Sequence, residues 1–179
     1  DTEEKVDWQS LDGNTLLSSI KDMGIVGMGG ATFPAHVKLS IPKDKKVDSF
    51  VVNGVECEPY LTADYRIMLE KGEQALEGAM IAAKIVKAER VIVGIEMNKP
   101  DCIAHLQKIV KEKGYPIEVV GLQMKYPQGD EKQLLKATLN REIPSGKLPL
   151  DVGAVVANIG TCNAIYEAIV LKKSLYERV

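Results

Sequence analysis

Four glycines, Gly24, Gly27, Gly29 and Gly30, fall within seven residues, and Ala31, Thr32, Phe33 and Pro34 complete the stretch. Glycines so closely spaced permit positive φ angles and let backbone N–H groups approach a ligand with no Cβ between. Phosphate or a flat cofactor ring is the natural guest of such a loop. Lys38 stands five residues beyond Phe33, near enough to fold over the loop and offer a cation to an anionic or carbonyl oxygen. Phe33, one of two phenylalanines in the chain, reads equally as a ring-stacking wall or as the plug that anchors the loop.

Asn53-Gly54-Val55-Glu56-Cys57-Glu58-Pro59-Tyr60 follows a β-prone run, which places Asn53, Glu56 and Glu58 at a sheet edge. Carboxylates there accept hydrogen bonds from ribose or ribityl hydroxyls, as the acid of a dinucleotide site does. Acid/base hydrolysis would need a further nucleophile or histidine. His105 falls on an expected helix surface, and His36 sits in a loop. Glu56, Glu58 and Asp64 form no recognised metal-ligand spacing, so no metal site is expected. Tyr126-Pro127-Gln128-Gly129-Asp130-Glu131 and Asn158-Ile159-Gly160-Thr161-Cys162-Asn163 set glycine beside acids or small polar groups, each between a strand and a helix. Singly, each is also an ordinary helix start, with acids that suit the helix dipole. Four such loops on one sheet edge are more simply explained as one composite pocket.

The elements that must position these residues follow from periodicity. Leu16, Leu17 and Ile20 after Asp12-Gly13-Asn14 indicate a short capped helix that stops at Gly24. Compact β-prone runs predict buried strands over 49–53, 90–95, 116–120 and 152–157. Helical spacing predicts a helix pair over 63–87 with Gly72 as its break, and single helices from Pro100 to Gly114, over 131–139 and over 162–171. Strands alternating with helices imply an α/β fold, a mostly parallel sheet with helices on its faces. The expected organisation is an N-terminal helical lead-in over 1–23 and one α/β domain over 24–179. An opening without methionine and an ending in mid-pattern suggest a piece of a larger protein.

Two familiar phosphate motifs do not fit. A dinucleotide fingerprint follows a strand and opens a helix, whereas here a helix precedes the glycines, and Thr32 stands where the third glycine belongs. A Walker A loop would end in Gly-Lys-Ser/Thr, and Lys38 lies beyond Pro34 with no adjacent hydroxyl. The 179 residues carry 23 basic and 25 acidic side chains, net charge −2, without the basic face that a nucleic-acid binder needs. No run approaches the ~20 apolar residues of a membrane span, and the start Asp1-Thr2-Glu3-Glu4 is unlike a signal peptide. Three scattered cysteines, Cys57, Cys102 and Cys162, suit reduced thiols in a cytosolic setting and cannot hold a four-cysteine cluster.

Gly27-Met28-Gly29-Gly30-Ala31-Thr32-Phe33-Pro34, Asn53-Gly-Val-Glu-Cys-Glu-Pro59, Tyr126-Pro-Gln-Gly-Asp-Glu131 and Asn158-Ile-Gly-Thr161 resemble, in order and spacing, the flavin-binding core of the NADH-binding flavoprotein subunit of respiratory complex I. The closer resemblance is to the RnfC family of the bacterial Rnf electron transport complex, over essentially the whole chain from Trp8. The resemblance implies a Rossmann-like variant of that flavoprotein core, with FMN and NAD(H) in one cleft. Gly27, Gly29, Gly30 and Ala31 would lie along the cofactors, with Thr32 in the loop and Phe33 lining it. Lys38 and Asn53 would bond the flavin or its ribityl chain, Glu56 the flavin, and Glu58 the nicotinamide or its ribose. Gly129, Asp130 and Glu131 would correspond to the Gly-Glu-Glu turn, with Tyr126 of the same loop also at the cofactors, and Asn158 and Thr161 to the segment around the phosphate.

The function so implied is hydride exchange between FMN and NAD(H) within an ion-translocating ferredoxin:NAD oxidoreductase. Its partners would be the other Rnf subunits and, through them, ferredoxin. A soluble fragment would then sit peripherally at the cytoplasmic face of the membrane, with 4Fe-4S clusters only in a part of the full-length protein beyond this chain. No catalytic side chain is needed, because the cofactors carry the reaction. This chain has Val55, Thr32, Asp130 and Ile159 where complex I has Asp, Gly, Glu and Asn. Val55 and Ile159 favour an alternative, a non-catalytic scaffold with a degenerate cleft. A nicotinamide-only module is a third reading.

Overall fold

The computed structural model describes residues 5–56, 58, 60–124 and 127–175. Four strands, β1 (Ser49–Gly54), β2 (Arg90–Glu96), β3 (Ile117–Leu122) and β4 (Ala154–Asn158), form a parallel sheet in the order β3-β2-β1-β4. Helices α1 (Gly13–Asp22) and α2 (Ala35–Leu39) precede the sheet. The crossover from β1 to β2 is the pair α3 (Ala63–Glu70) and α4 (Gly72–Val86). Helix α5 (Pro100–Lys113) joins β2 to β3, α6 (Glu131–Leu139) lies between β3 and β4, and α7 (Ile159–Val170) follows β4. This is the α/β class expected from the sequence. Among the described residues, no helix is long and apolar enough to cross a membrane.

Strands β1, β2 and β4 read as apolar runs because both sheet faces are covered along them, whereas the edge strand β3 exposes Glu118. Phe50 and Val52 of β1 enter the core built with α1, α4, α5 and α7. Between them, Val51 points the other way, into a smaller core with Leu134 and Leu135 of α6. That alternation is the two-residue period of a strand. Helix α7 is buried along its full length. It crosses α4 so closely that a Cβ on Gly78 would stand 1.8 Å from the Cys162 carbonyl oxygen, a contact only glycine permits.

The strand ends shift by one or two residues from the sequence expectation, with β3 at Ile117–Leu122 and β4 at Ala154–Asn158, and two differences concern helices. Helix α7 starts at Ile159, directly after β4, because the Asn158 side chain accepts from Gly160 N and Thr161 N and so caps the helix with no intervening loop. Helix α2, five residues long, has too few turns to show a period and reads in the sequence as part of the glycine loop.

The strand order creates a topological switch point. The chain leaves β1 to build β2 and β3 on one side, then returns to place β4 on the other. Asn53 and Asn158 lie opposite each other across that seam, at the carboxyl ends of β1 and β4. Ligands in open α/β sheets bind in the crevice at such a point.

Candidate functional site

The glycine loop lies over the switch point. Val26 and Pro34 form an antiparallel bridge, Gly27 N donates to Phe33 O at 2.8 Å, and Ala35 N donates to Ile25 O at 3.0 Å. Residues 27–33 are thereby pinched at their neck. Gly24, with φ +68°, ends the turn after α1 as a left-handed stop, and Gly30 at φ +132° takes a backbone angle few other residues adopt. Thr32 has φ +48°, a strained conformation for a β-branched residue. The loop is tied to the domain by Met28 N, which donates to Thr161 Oγ1 at 2.9 Å.

Under the loop is a cleft of about 190 Å3. One wall is the loop itself, Gly27, Gly29, Gly30, Ala31, Thr32 and Phe33, and α2 adds Ala35, Lys38 and Leu39. The floor is apolar, made by consecutive residues of β4, Val155, Val156 and Ala157, together with Ile165 of α7. Asn53, Gly129, Glu131, Asn158 and Thr161 supply the polar rim. Strand β4 is an edge strand among the described residues, so the cleft runs beside backbone N–H and C=O groups that have no strand partner there on that side. Phe33 is 52% exposed, a position for a wall rather than for a buried plug.

The rim residues are held in place. Asn53 Nδ2 donates to Gly129 O at 2.9 Å while its Oδ1 accepts from Val55 N, which pins the turn before α6 to the end of β1. Lys38 Nζ donates to Glu131 Oε1 at 2.6 Å, an ion pair between α2 and α6 at the cleft. Both side chains are more than a third exposed, so the pair contributes little to stability. Both amide ends of Asn158 are committed: Oδ1 to the first turn of α7, and Nδ2 to Asp64 Oδ2 at 2.7 Å.

Twelve of the residues expected from the sequence therefore converge: Gly27, Gly29, Gly30, Ala31, Thr32, Phe33, Lys38, Asn53, Gly129, Glu131, Asn158 and Thr161. Three others stand apart from the lining. The Glu56 carboxylate accepts from the N–H groups of Asp64 and Tyr65 and so caps α3, for which Thr62 makes no side-chain cap. Asp130 caps α6 by accepting from Lys132 N. Glu58 is exposed beyond the rim. Tyr126 lies outside the described residues.

Val55 and Ile159, the two apolar departures, are buried in the smaller and larger cores and do not reach the cleft. Sequence reasoning missed Ala35, Leu39, Val155, Val156, Ala157 and Ile165, which carry no polar signal. Asp64, weighed in the sequence only as a metal ligand, has its carboxyl pushed up to about 6, mainly by burial and further by Glu56, against the bond from Asn158 and the charge of Lys99. Burial also pushes the thiols of Cys102 and Cys162 up, to about 11 and about 12, which leaves both unreactive. Among the described residues, no three His, Cys, Asp or Glu side chains are grouped to hold a metal ion.

Residues 20–167 match the model of the Nuo51 FMN-binding domain. A component of the proton-translocating ferredoxin:NAD(+) oxidoreductase complex of Clostridium ljungdahlii is 54% identical over 172 residues, covering 96% of this chain and 37% of that protein. Its counterpart in the Na(+)-translocating ferredoxin:NAD(+) oxidoreductase complex of Acetobacterium woodii is 48% identical over 170 residues, 95% of this chain and 38% of the relative. The chain thus spans little more than a third of these relatives. An NAD+-reducing [NiFe]-hydrogenase, in the crystal structure of its air-oxidized state, shares the fold with a TM-score of 0.72 over 88% of this chain and 30% of its own, at 22% identity.

Proposed function

The chain belongs to the Nuo51 FMN-binding domain family, and from that premise we propose that the cleft under the glycine loop binds FMN and presents it to NAD(H) for hydride exchange, as part of a membrane-associated ferredoxin:NAD oxidoreductase. One observation carries this reading: residues from four separated segments, each with the small or polar character such a ligand needs, meet around a single cleft at the switch point of the sheet.

The lining fits the chemistry of a flavin nucleotide. The apolar floor of Val155, Val156, Ala157 and Ile165 suits a flat ring, and the open edge of β4 offers backbone donors and acceptors to the polar rim of that ring. Lys38 is a cation within reach of an anionic or carbonyl oxygen, while Asn53 and Thr161 sit where ribityl hydroxyls or a phosphate would be met. Most small-molecule sites enclose roughly 300–1,000 Å3, more than the cleft of about 190 Å3 found here. A flavin is therefore accommodated by displacement of the glycine loop or with one edge left outside. The loop is suited to such movement, since its pinched neck holds its ends and, among the described residues, one side-chain bond, Met28 to Thr161, holds its body.

When bound, the flavin exchanges a hydride with nicotinamide and passes on single electrons. The chain's own part is to position the ring against the floor, exclude water beneath the loop, and hold the rim groups in fixed orientations. Lys38 can bond a ligand while keeping Glu131, because its ammonium carries three N–H donors and the bond to Glu131 Oε1 uses one. Phe33, half exposed in the lining, supplies an aromatic ring against which a second flat group can pack.

Family membership, the relatives' names and an intact cleft lining favour the flavin reading over the scaffold. The two residues that prompted the scaffold reading, Val55 and Ile159, belong to the cores. FMN titration tests the binding step: saturable quenching of flavin fluorescence by the folded chain is expected, and weakening by Lys38→Met would place the ligand in this cleft. Quenching that is absent, or indifferent to Lys38→Met, contradicts the assignment.

A further inference from the structure

Asp64, on the first turn of α3, is one hydrogen bond behind the cleft wall and contributes nothing to the lining. It fixes a residue that does. Asn158 cannot rotate its amide without losing both the Asp64 bond at 2.7 Å and the Gly160 bond at 2.7 Å. The first turn of α7, so capped, carries the Thr161 hydroxyl that receives Met28 N. Order thus passes from Asp64 through Asn158 and Thr161 into the glycine loop. The side of the loop that faces this chain of contacts is tightly fitted, since a Cβ on Gly29 would lie 3.3 Å from Asn158 Cβ.

We propose that Asp64 is a positioning residue for the cleft: its carboxylate locks the Asn158 amide, and its charge opposes an anionic group seated beside that amide. Binding of a phosphate-bearing ligand is then coupled to uptake of a proton by Asp64. The second half rests on the flavin mononucleotide reading given above; the lock does not.

The charged surroundings support the coupling. From the loop after β1, Glu56 accepts the Asp64 N–H and brings a second negative charge. From the start of α5, Lys99 is the opposing cation among the described residues, but its ammonium donates to Glu56 O and Glu96 Oε2 instead. From α7 comes the Cys162 thiol, itself kept neutral by burial. Asp64 is therefore already a carboxylate whose charge is poorly accommodated, and its acidity near pH 6 lies where a neighbouring phosphate pushes it further upward.

The test compares the wild type with Asp64→Asn, which keeps an oxygen to accept from Asn158 and removes the charge. The phosphate of FMN titrates near ~6 on its own, so only the difference between the two proteins is informative. Asp64→Asn is expected to bind FMN more tightly at high pH, by on the order of fivefold at about pH 8 for charges one residue apart in a partly solvated site. The two affinities should converge at about pH 5, and the uncharged-tail analogue riboflavin should show no such divergence.

A ligand-free measurement tests the lock alone. The Met28 amide resonance should titrate with a midpoint near 6 in the wild type, as the neutral carboxyl loosens its hold on Asn158, and should stay flat in Asp64→Asn. Parallel pH profiles for FMN affinity would overturn the coupling, and a Met28 amide that does not titrate would overturn the lock. Failure of FMN to bind the wild type at all would sink the flavin reading and the coupling with it, and would leave the Met28 titration to decide the lock.

Discussion

Gly29→Val separates the cleft from the fold. A Cβ at Gly29 meets Asn158 Cβ at 3.3 Å, with Asn158 Cγ at 3.8 Å and Nδ2 at 3.9 Å, whereas carbon pairs settle at roughly 3.5–4.0 Å. Valine adds two further methyl groups at that seam. Asn158 cannot yield, because its amide is tied to Asp64 and Gly160. The glycine loop must move instead, and the loop is the cleft wall. Overpacking of this kind costs about 1–3 kcal/mol, which at ~1.4 kcal/mol per decade is a loss of roughly five- to a hundredfold in FMN affinity. Core residues on either side of the loop, Ile25 and Ala35, remain in place, so the thermal midpoint should fall by only a few degrees. FMN quenching and thermal melts measured on the same preparation decide the matter. Unchanged affinity refutes the loop assignment, and affinity lost together with cooperative folding refutes the separation.

Gly78→Ala is the opposite case, since its Cβ would lie 1.8 Å from the Cys162 carbonyl oxygen between two buried helices. Urea denaturation should show a loss of at least ~3 kcal/mol, and a near-normal midpoint would mean that α4 and α7 are not so closely packed. Thr32→Gly should stabilise the chain by about 1 kcal/mol by relieving a left-handed threonine, measured by the same denaturation; destabilisation would show that φ +48° carries no strain. Asp64 binds its proton more tightly in the folded chain, its pKa raised from 3.8 to about 6, so its contribution to stability is lost as pH rises between those values. Asp64→Asn should therefore gain on the wild type by as much as roughly 2–3 kcal/mol at neutral pH and by nothing below about pH 4, at 1.36 kcal/mol per pH unit; equal stabilities across the range would show that burial does not perturb this acid.

Much of this architecture is legible in the amino-acid sequence because β1, β2 and β4 are largely buried and written as compact apolar runs, while β3 keeps enough of that character despite its exposed Glu118. Polar groups placed directly after those runs fall at the carboxyl ends of strands, which is how Asn53 and Asn158 can be assigned to one edge before any coordinates. The stop at Gly24 is similarly visible as a left-handed glycine, and the helix break is legible to within one residue: Lys71 separates α3 from α4, and Gly72, where the sequence puts the break, opens α4. The floor of the cleft is not legible, since Val155, Val156 and Ala157 are indistinguishable from core residues until the strand order makes β4 an edge. The acids are ambiguous for a related reason. Glu56 and Asp130 follow strands or open helices as binding acids do, yet their oxygens satisfy helix N–H groups. Nothing local separates a capping carboxylate from a ligand-binding one. Asp64 is visible only as one acid among several, because the partner that gives it a role is 94 residues away.

Reduction of bound FMN by NADH under anaerobic conditions bears most directly on the proposed activity. The folded chain, loaded with FMN and mixed with NADH, is predicted to lose the visible flavin absorbance, and Gly29→Val is predicted to lose this reaction while its melt stays cooperative. Bound flavin that keeps its colour in excess NADH would contradict hydride exchange at this cleft.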